Sequence, residues 1–284
     1  MIGLFDSGTG GLTILDAVQK ALPGEPLIYL GDHARAPYGS MSNPEILAAT
    51  RSGVSHLFAD GCGLVILACN TASAVALRSL QENWLPTAYP ERRILGILVP
   101  MVEALTGLEW DRENPGLSNQ PGQTVAVFAT RCTTRSRAYV EEIEKRAPWF
   151  RIVQQACPGL VRLIEAGAAG QDIQTLVDRY VGEVMTREAL QAFDGVILGC
   201  THYPLIEDRF RAALPAGTTI VSQPRIVVAS LENYLQRHPE FRTHQGSAAA
   251  GAAAQVRLLT TGHPPAVSAL AGHFLGRQIE FEKA

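Results

Sequence analysis

LVILACNT (64–71) and GVILGCTH (195–202) are two versions of one pattern. In each, four apolar residues deliver a small residue, then a cysteine, then two polar residues, and Cys69 and Cys200 stand 131 positions apart. A run that is apolar throughout, with no alternation, marks a strand covered on both faces, and hence a parallel sheet between helices. IGLFDSG (2–8) likewise resembles VAVFATR (125–131) at an offset of 123, and LIYLGD (27–32) more weakly resembles RIVQQACP (151–158). Strand ends recurring in one order at similar offsets point to two similar α/β lobes.

Working outward, eight strand candidates alternate with amphipathic stretches: 2–5, 26–30, 64–68, 93–97, 124–129, 151–156, 195–199 and 218–222. Helical patterns fall at 11–21, 43–60, 72–82, 134–147, 159–168, 171–192 and 225–237, with a last one at 269–276. This is the order of βαβ units. The polar, Gly/Pro/Asn-rich stretch 106–123 reads as a linker or long surface loop, and Ala/Gly-rich 243–255 as a loop or weak helix.

Composition closes off several functions. The 284 residues carry a formal charge of −3, so the chain lacks the basic excess of a general nucleic-acid binder. No apolar run is long enough to span a bilayer, and the first residues lack a basic stretch before their apolar run, so no secretory signal is expected. The five cysteines form no CxxC pair, which favours free thiols in a reducing cytoplasm over a disulfide framework. The three lysines, Lys20, Lys145 and Lys283, all sit among polar neighbours, unlike a desolvated Schiff-base lysine for pyridoxal phosphate.

In open α/β sheets, ligands bind beyond the carboxyl ends of the strands. The residues to read there are Asp6 and Ser7, Asp32, Cys69 to Thr71, Thr130 to Thr134, and Cys200 to His202. Helix N-termini at such places present unpaired N–H groups and partial positive charge, which hold carboxylates and lower a thiol's pKa. DSGTGG (6–11) fits neither common phosphate-loop pattern, but suits a tight strand-to-helix turn with exposed N–H groups, and Asp6 is a candidate for handling protons or for capping the helix. In the turn-rich loop 36–45, Tyr38 and Gly39 could meet a ligand. Each cysteine could instead be a small core residue, and Cys69, Cys200 and His202 could together form an open zinc site, although no close CxxC or HxxxH supports one.

DSGTGGLTIL (6–15), YLGDHARAPYGSMS (29–42), ACNTASA (68–74), ATRCTTRSRAY (129–139), ACPGLVRLIEAG (156–167), LGCTHYPLI (198–206) and TTGHPP (260–265) resemble the glutamate racemase family, of the cofactor-independent aspartate/glutamate racemase superfamily. The resemblance runs from residue 2 to about 276, with CNTA and GCTHYPL its most specific blocks. It implies interconversion of L- and D-glutamate without cofactor or metal, supplying D-glutamate for peptidoglycan. An aspartate racemase, or an isomerase or decarboxylase of a related diacid, is the alternative within the superfamily. By position, Cys69 and Cys200 match the catalytic thiols, and Asp6, Glu165 and His202 the groups that assist them. Ser7, Tyr38, Gly39, Asn70, Thr71 and Thr201, with Asp6 and His202, match substrate contacts. Thr130 and Thr133, with Thr134 a further candidate, fall in the block that resembles the carboxylate-binding turn. That block departs by carrying Arg131 and Cys132, and Ser222 stands where the family usually has an Asp.

Two thiols suit racemisation because the α-proton leaves one face and a proton arrives at the other. One group acts as base and one as acid, the two exchange roles in the reverse direction, and they titrate as a pair with pKa values not far apart. The expected division is a first lobe of 1–97 plus 208–284 and a second of 98–207, with the site in the cleft between them. The expected partner is a small molecule, with neither nucleic acid nor membrane involved; a homodimer is compatible with the sequence and not required by it.

Overall fold

The computed structural model describes residues 1–108, 122–242 and 255–284. Most of the expected linker 106–123, and of the Ala/Gly-rich segment 243–255, lies outside them.

All eight expected strands form, as β1 (Ile2–Asp6), β2 (Leu27–Gly31), β3 (Leu64–Leu67), β4 (Arg93–Gly96), β5 (Gln123–Ala129), β6 (Phe150–Ala156), β7 (Gly195–Gly199) and β8 (Thr219–Val221). Two more, β9 (Val256–Thr260) and β10 (Glu282–Lys283), were not anticipated. Every pairing is parallel. One sheet has the order β10-β9-β2-β1-β3-β4 and the other β6-β5-β7-β8. The second repeats the run β2-β1-β3-β4 of the first, strand for strand, and the registers agree as well. Phe5 lies opposite Leu67, and their repeat equivalents Phe128 and Leu198 lie opposite each other.

Successive strand residues point to opposite faces, and the cores follow. Ile2, Leu4, Leu64 and Ile66 pack on one face of the first sheet, and Phe5, Val65 and Leu67 on the other. In the second sheet Ala126, Phe128, Val196 and Leu198 share one core, and Val125, Val127 and Ile197 the opposite one. Each such Val, Leu, Ile or Phe side chain contributes about 1.5–3 kcal/mol by leaving water.

The chain leaves the first sheet through helix Leu98–Thr106, whose Leu98, Met101 and Val102 pack in the second sheet's core. It returns through helix Gln223–Arg237, whose Val227, Leu231 and Leu235 pack against Leu12, Leu15 and Val18. The expected return at 208 falls one strand too early. Residues 219–221 pair with β7 and so belong to the second sheet.

Candidate active site

Both sheets end at one cavity of about 590 Å³, to which each contributes the ends of its central strands. Ser7, Cys69, Asn70 and Thr71 come from the first lobe, and Thr130, Glu165, Cys200, Thr201 and His202 from the second. Tyr38 and Gly39 line it from the loop after β2. Cys69 and Cys200, each 5% exposed, therefore meet in a single space. Asp6 and Thr133 lie one layer behind it. Thr134 turns away and donates to the Arg131 carbonyl (3.0 Å).

Cys69 follows β3 and caps helix Asn70–Val75, its sulfur accepting from the Ala72 N–H at 3.5 Å. Its S–H donates to Ser7 Oγ at 3.4 Å. Burial, together with the Asp6 carboxylate, pushes this thiol up to about 12, against the pull of the Ser7 and Ala72 contacts. Asp6 is held by the turn it begins: the Gly8 and Gly11 N–H groups donate to Oδ2 at 3.0 and 3.1 Å, and Tyr29 OH to the same atom at 3.4 Å. Its Oδ1 is buried with no hydrogen-bond partner among the described residues.

Cys200 has different company. Its sulfur lies 3.7 Å from His202 Nδ1, and His202 Nε2 lies 2.9 Å from Glu165 Oε1. The same Glu165 oxygen accepts from Thr9 Oγ1 at 2.7 Å, across the lobe boundary. Burial works against charge on the imidazole, but the contacts with Cys200 and Glu165 outweigh it and hold His202 up to about 10. Glu165 is drawn below the usual carboxylate range: burial opposes this, and the His202 and Thr9 hydrogen bonds prevail. Phe274 meets the His202 ring edge-on, centroids 5.4 Å apart. The stretch after β7 is a turn and a short 3₁₀ helix, Tyr203–Ile206, so Cys200 has an imidazole for a neighbour where Cys69 has a helix N–H and a hydroxyl.

The hydroxyls of Thr71, Thr130 and Thr133 form a triangle with sides of 3.0, 3.2 and 3.1 Å. Thr130 caps helix Arg131–Ser136 by accepting from the Thr133 N–H. Tyr38 donates to Asp32 at 2.6 Å, as does Thr261; this holds the 38–40 turn beside the cavity. Cys132 is buried outside the cavity lining. Its sulfur is 3.2 Å from the Gly39 and Met41 carbonyls, so it ties that turn to the second lobe. The sequence reading did not anticipate roles for Arg162, which lines the cavity, or for Thr9, Tyr139, Gln223 and Phe274, each distant in the chain from the site residue it touches.

The lobes meet closely at Gly10. A Cβ there would lie 2.4 Å from Thr201 Oγ1 and 2.5 Å from the His202 ring. Gly10→Ala is therefore expected to wedge the lobes apart at Cys200, costing about 1–3 kcal/mol of overpacking. Turnover should fall by about tenfold or more with far-UV circular dichroism unchanged; unchanged turnover would show that this contact does not set the site.

All five cysteines are free and buried, and among the described residues no group of three His, Cys, Asp or Glu side chains is placed to hold a metal ion. The lysines are on the surface: Lys20 pairs with Asp16, Lys145 with Glu142, and Lys283 meets the Gly262 carbonyl.

Two parallel sheets of matching order, with equivalent cysteines at one shared cavity, define a two-lobed α/β protein with its candidate site between the lobes. A family model described as Asp/Glu/Hydantoin racemase matches residues 11–231. The chain is 46% identical over 288 residues to a glutamate racemase of Jannaschia sp. (strain CCS1), covering 99% of this chain and 98% of that one. It is 45% identical over 290 residues to that of Caulobacter sp. (strain K31), covering 100% and 99%. A crystal structure of glutamate racemase from Francisella tularensis in complex with D-glutamate superposes with a TM-score of 0.79 at 27% identity, covering 99% of this chain and 95% of that one. The chain belongs to the Asp/Glu racemase family and is an amino-acid isomerase. No described helix is long and apolar enough to cross a membrane.

Proposed function

We propose that this enzyme interconverts L- and D-glutamate by a two-thiol mechanism without cofactor. The observation that carries the reading is that Cys69 and Cys200, from equivalent strand ends of the two sheets, line one cavity. One sulfur takes the α-proton as thiolate while the other delivers a proton to the opposite face as thiol. Ser7 and Asp6 serve Cys69, and His202 with Glu165 serves Cys200. The α-proton of an amino acid is weakly acidic, so the carbanion-like state is stabilised by preorganised donors: the hydroxyls of Thr71, Thr130 and Thr201, and the N–H groups of the strand-end turns. Contacts across the lobe boundary, Thr9 to Glu165 and Thr71 to Thr130, hold the two lobes closed over the substrate and exclude water. The reaction belongs to the cytoplasm, where free thiols stay reduced, and its D-glutamate goes to peptidoglycan.

Purified enzyme offered L-glutamate, L-aspartate and other amino acids is expected to carry only glutamate to an equal mixture of enantiomers at a substantial rate, followed by circular dichroism. A faster reaction with aspartate moves the assignment to the aspartate branch of the family; no change with any amino acid ends it.

A second expectation concerns substrate entry. The net charge is −3, yet Arg131, Arg135 and Arg162 all line the cavity, and among the described residues neither Arg131 nor Arg162 has an ion-pair partner. Glu165 is the one carboxylate in the same lining, so arginine is in excess, and a cleft with an excess of one sign concentrates the opposite charge. kcat/KM for glutamate is expected to fall by roughly 3- to 10-fold between low and high salt as this field is screened. Arg131→Gln with Arg162→Gln should flatten the dependence; a flat wild-type profile would contradict the steering role.

A further inference from the structure

We infer that Gln223, together with Tyr139, is a positioning residue that fixes the side-chain amide of Asn70, so that Asn70 can offer only N–H donors to a molecule in the cavity. Asn70 stands directly after Cys69 and lines the cavity. Its Oδ1 accepts from Tyr139 OH at 2.8 Å and from Gln223 Nε2 at 2.7 Å. All three side chains are buried, with Asn70 2% exposed and the other two 0%. An amide oxygen has two lone pairs, and both are taken. Asn70 Nδ2 has no partner among the described residues.

One donor comes from the second lobe and the other from the helix by which the chain returns to the first. Tyr139 lies in helix Ala138–Arg146, and Gln223 heads helix Gln223–Arg237, separated from β8 only by Ser222. Through Tyr139 the clamp joins the end of β3 in the first sheet to the second lobe, while Gln223 holds the same amide oxygen from the returning helix. The signal in the sequence was faint: Gln223 follows the Ser222 that departs from the family's usual Asp.

The role rests on the glutamate-racemising reading for its kinetic test, so a second readout is independent of activity. Gln223→Met keeps length and volume while removing a side chain whose Oε1 has no hydrogen-bond partner among the described residues, so the fold should tolerate it. It is expected to raise KM for glutamate by roughly 5- to 10-fold, the worth of one hydrogen bond, with kcat within about twofold. In an Asn70→Ala background the same substitution should have no further effect on KM, because the group it positions is gone. Gln223→Glu presents a carboxylate to the Asn70 oxygen and should be worse than Gln223→Met. The Asn70 side-chain amide signal in ¹⁵N–¹H spectra should move in both Gln223 variants. If wild type fails to racemise glutamate, the functional reading fails while the amide signal still tests the clamp. The clamp is overturned if that signal is unmoved, if Gln223→Glu behaves as wild type, or if Gln223→Met raises KM equally with and without Asn70.

Discussion

Cys69→Ser and Cys200→Ser are each expected to lower racemisation by about three orders of magnitude. Serine nearly preserves the shape of cysteine, so the substitution tests proton transfer more than packing. Its hydroxyl is a far weaker acid than a thiol, and a positioned general acid or base contributes about 10²–10⁴ in rate. Cys69 is already pushed up to about 12 by burial and Asp6, which leaves no margin for a weaker acid. L- and D-glutamate have equal free energy, so kcat/KM must fall by the same factor from either side. A variant slow in kcat/KM in one direction alone would signal an assay artefact. Near-normal turnover by either variant in both directions would remove that sulfur from the mechanism.

The next largest effect is expected at His202. Held up to about 10 by Cys200 and Glu165 despite its burial, it is an imidazolium throughout the neutral range, with its positive charge facing the Cys200 sulfur at 3.7 Å. His202→Asn keeps a polar side chain and removes that charge, so kcat should fall by about 10². Glu165→Gln keeps the shape but removes the partner anion, and should bring the imidazole's titration down toward its ordinary value. The sign for stability follows from linkage. A histidine whose pKa is about 10 when folded and near 6.5 when unfolded contributes stability that is fully present below about 6.5 and is lost as pH rises through 10. NMR titration should show His202 charged at pH 8 in wild type. A neutral ring at that pH would contradict the proposed assistance at Cys200.

Much of this architecture was legible because the central strands are buried on both faces and so read as unbroken apolar runs. The repeat was legible for the same reason: LVILACNT and GVILGCTH occupy equivalent central positions, β3 and β7, in two sheets of matching order. The end of the chain was not. VRLLT (256–260) is only half-buried at its start and pairs as a late addition beside β2, and β10 is two residues long. The strand β8 is three residues long and its hydrogen bonds go to β7, a pairing that chain order does not display. At the site, residues immediately after strands announced themselves. Glu165 had no local signal beyond its place in the family pattern, since it ends a six-residue helix and matters through His202 and Thr9. Tyr139 closes the 129–139 block and Gln223 follows Ser222, but the sequence does not show that both reach Asn70, because that contact is made only in the fold.

The central claim is that two sulfurs act on opposite faces of one α-carbon. Following the reaction of L-glutamate in D₂O at early times, with both enantiomers separated and their mass measured, tests it most directly. The D-glutamate formed should carry deuterium at Cα in nearly every molecule while the remaining L-glutamate stays protiated, because the donor thiol holds a solvent-derived proton. D-glutamate that retains the original protium, or deuterium appearing in L-glutamate ahead of product, would mean that a single group both removes and returns the proton, and the two-thiol account would fall.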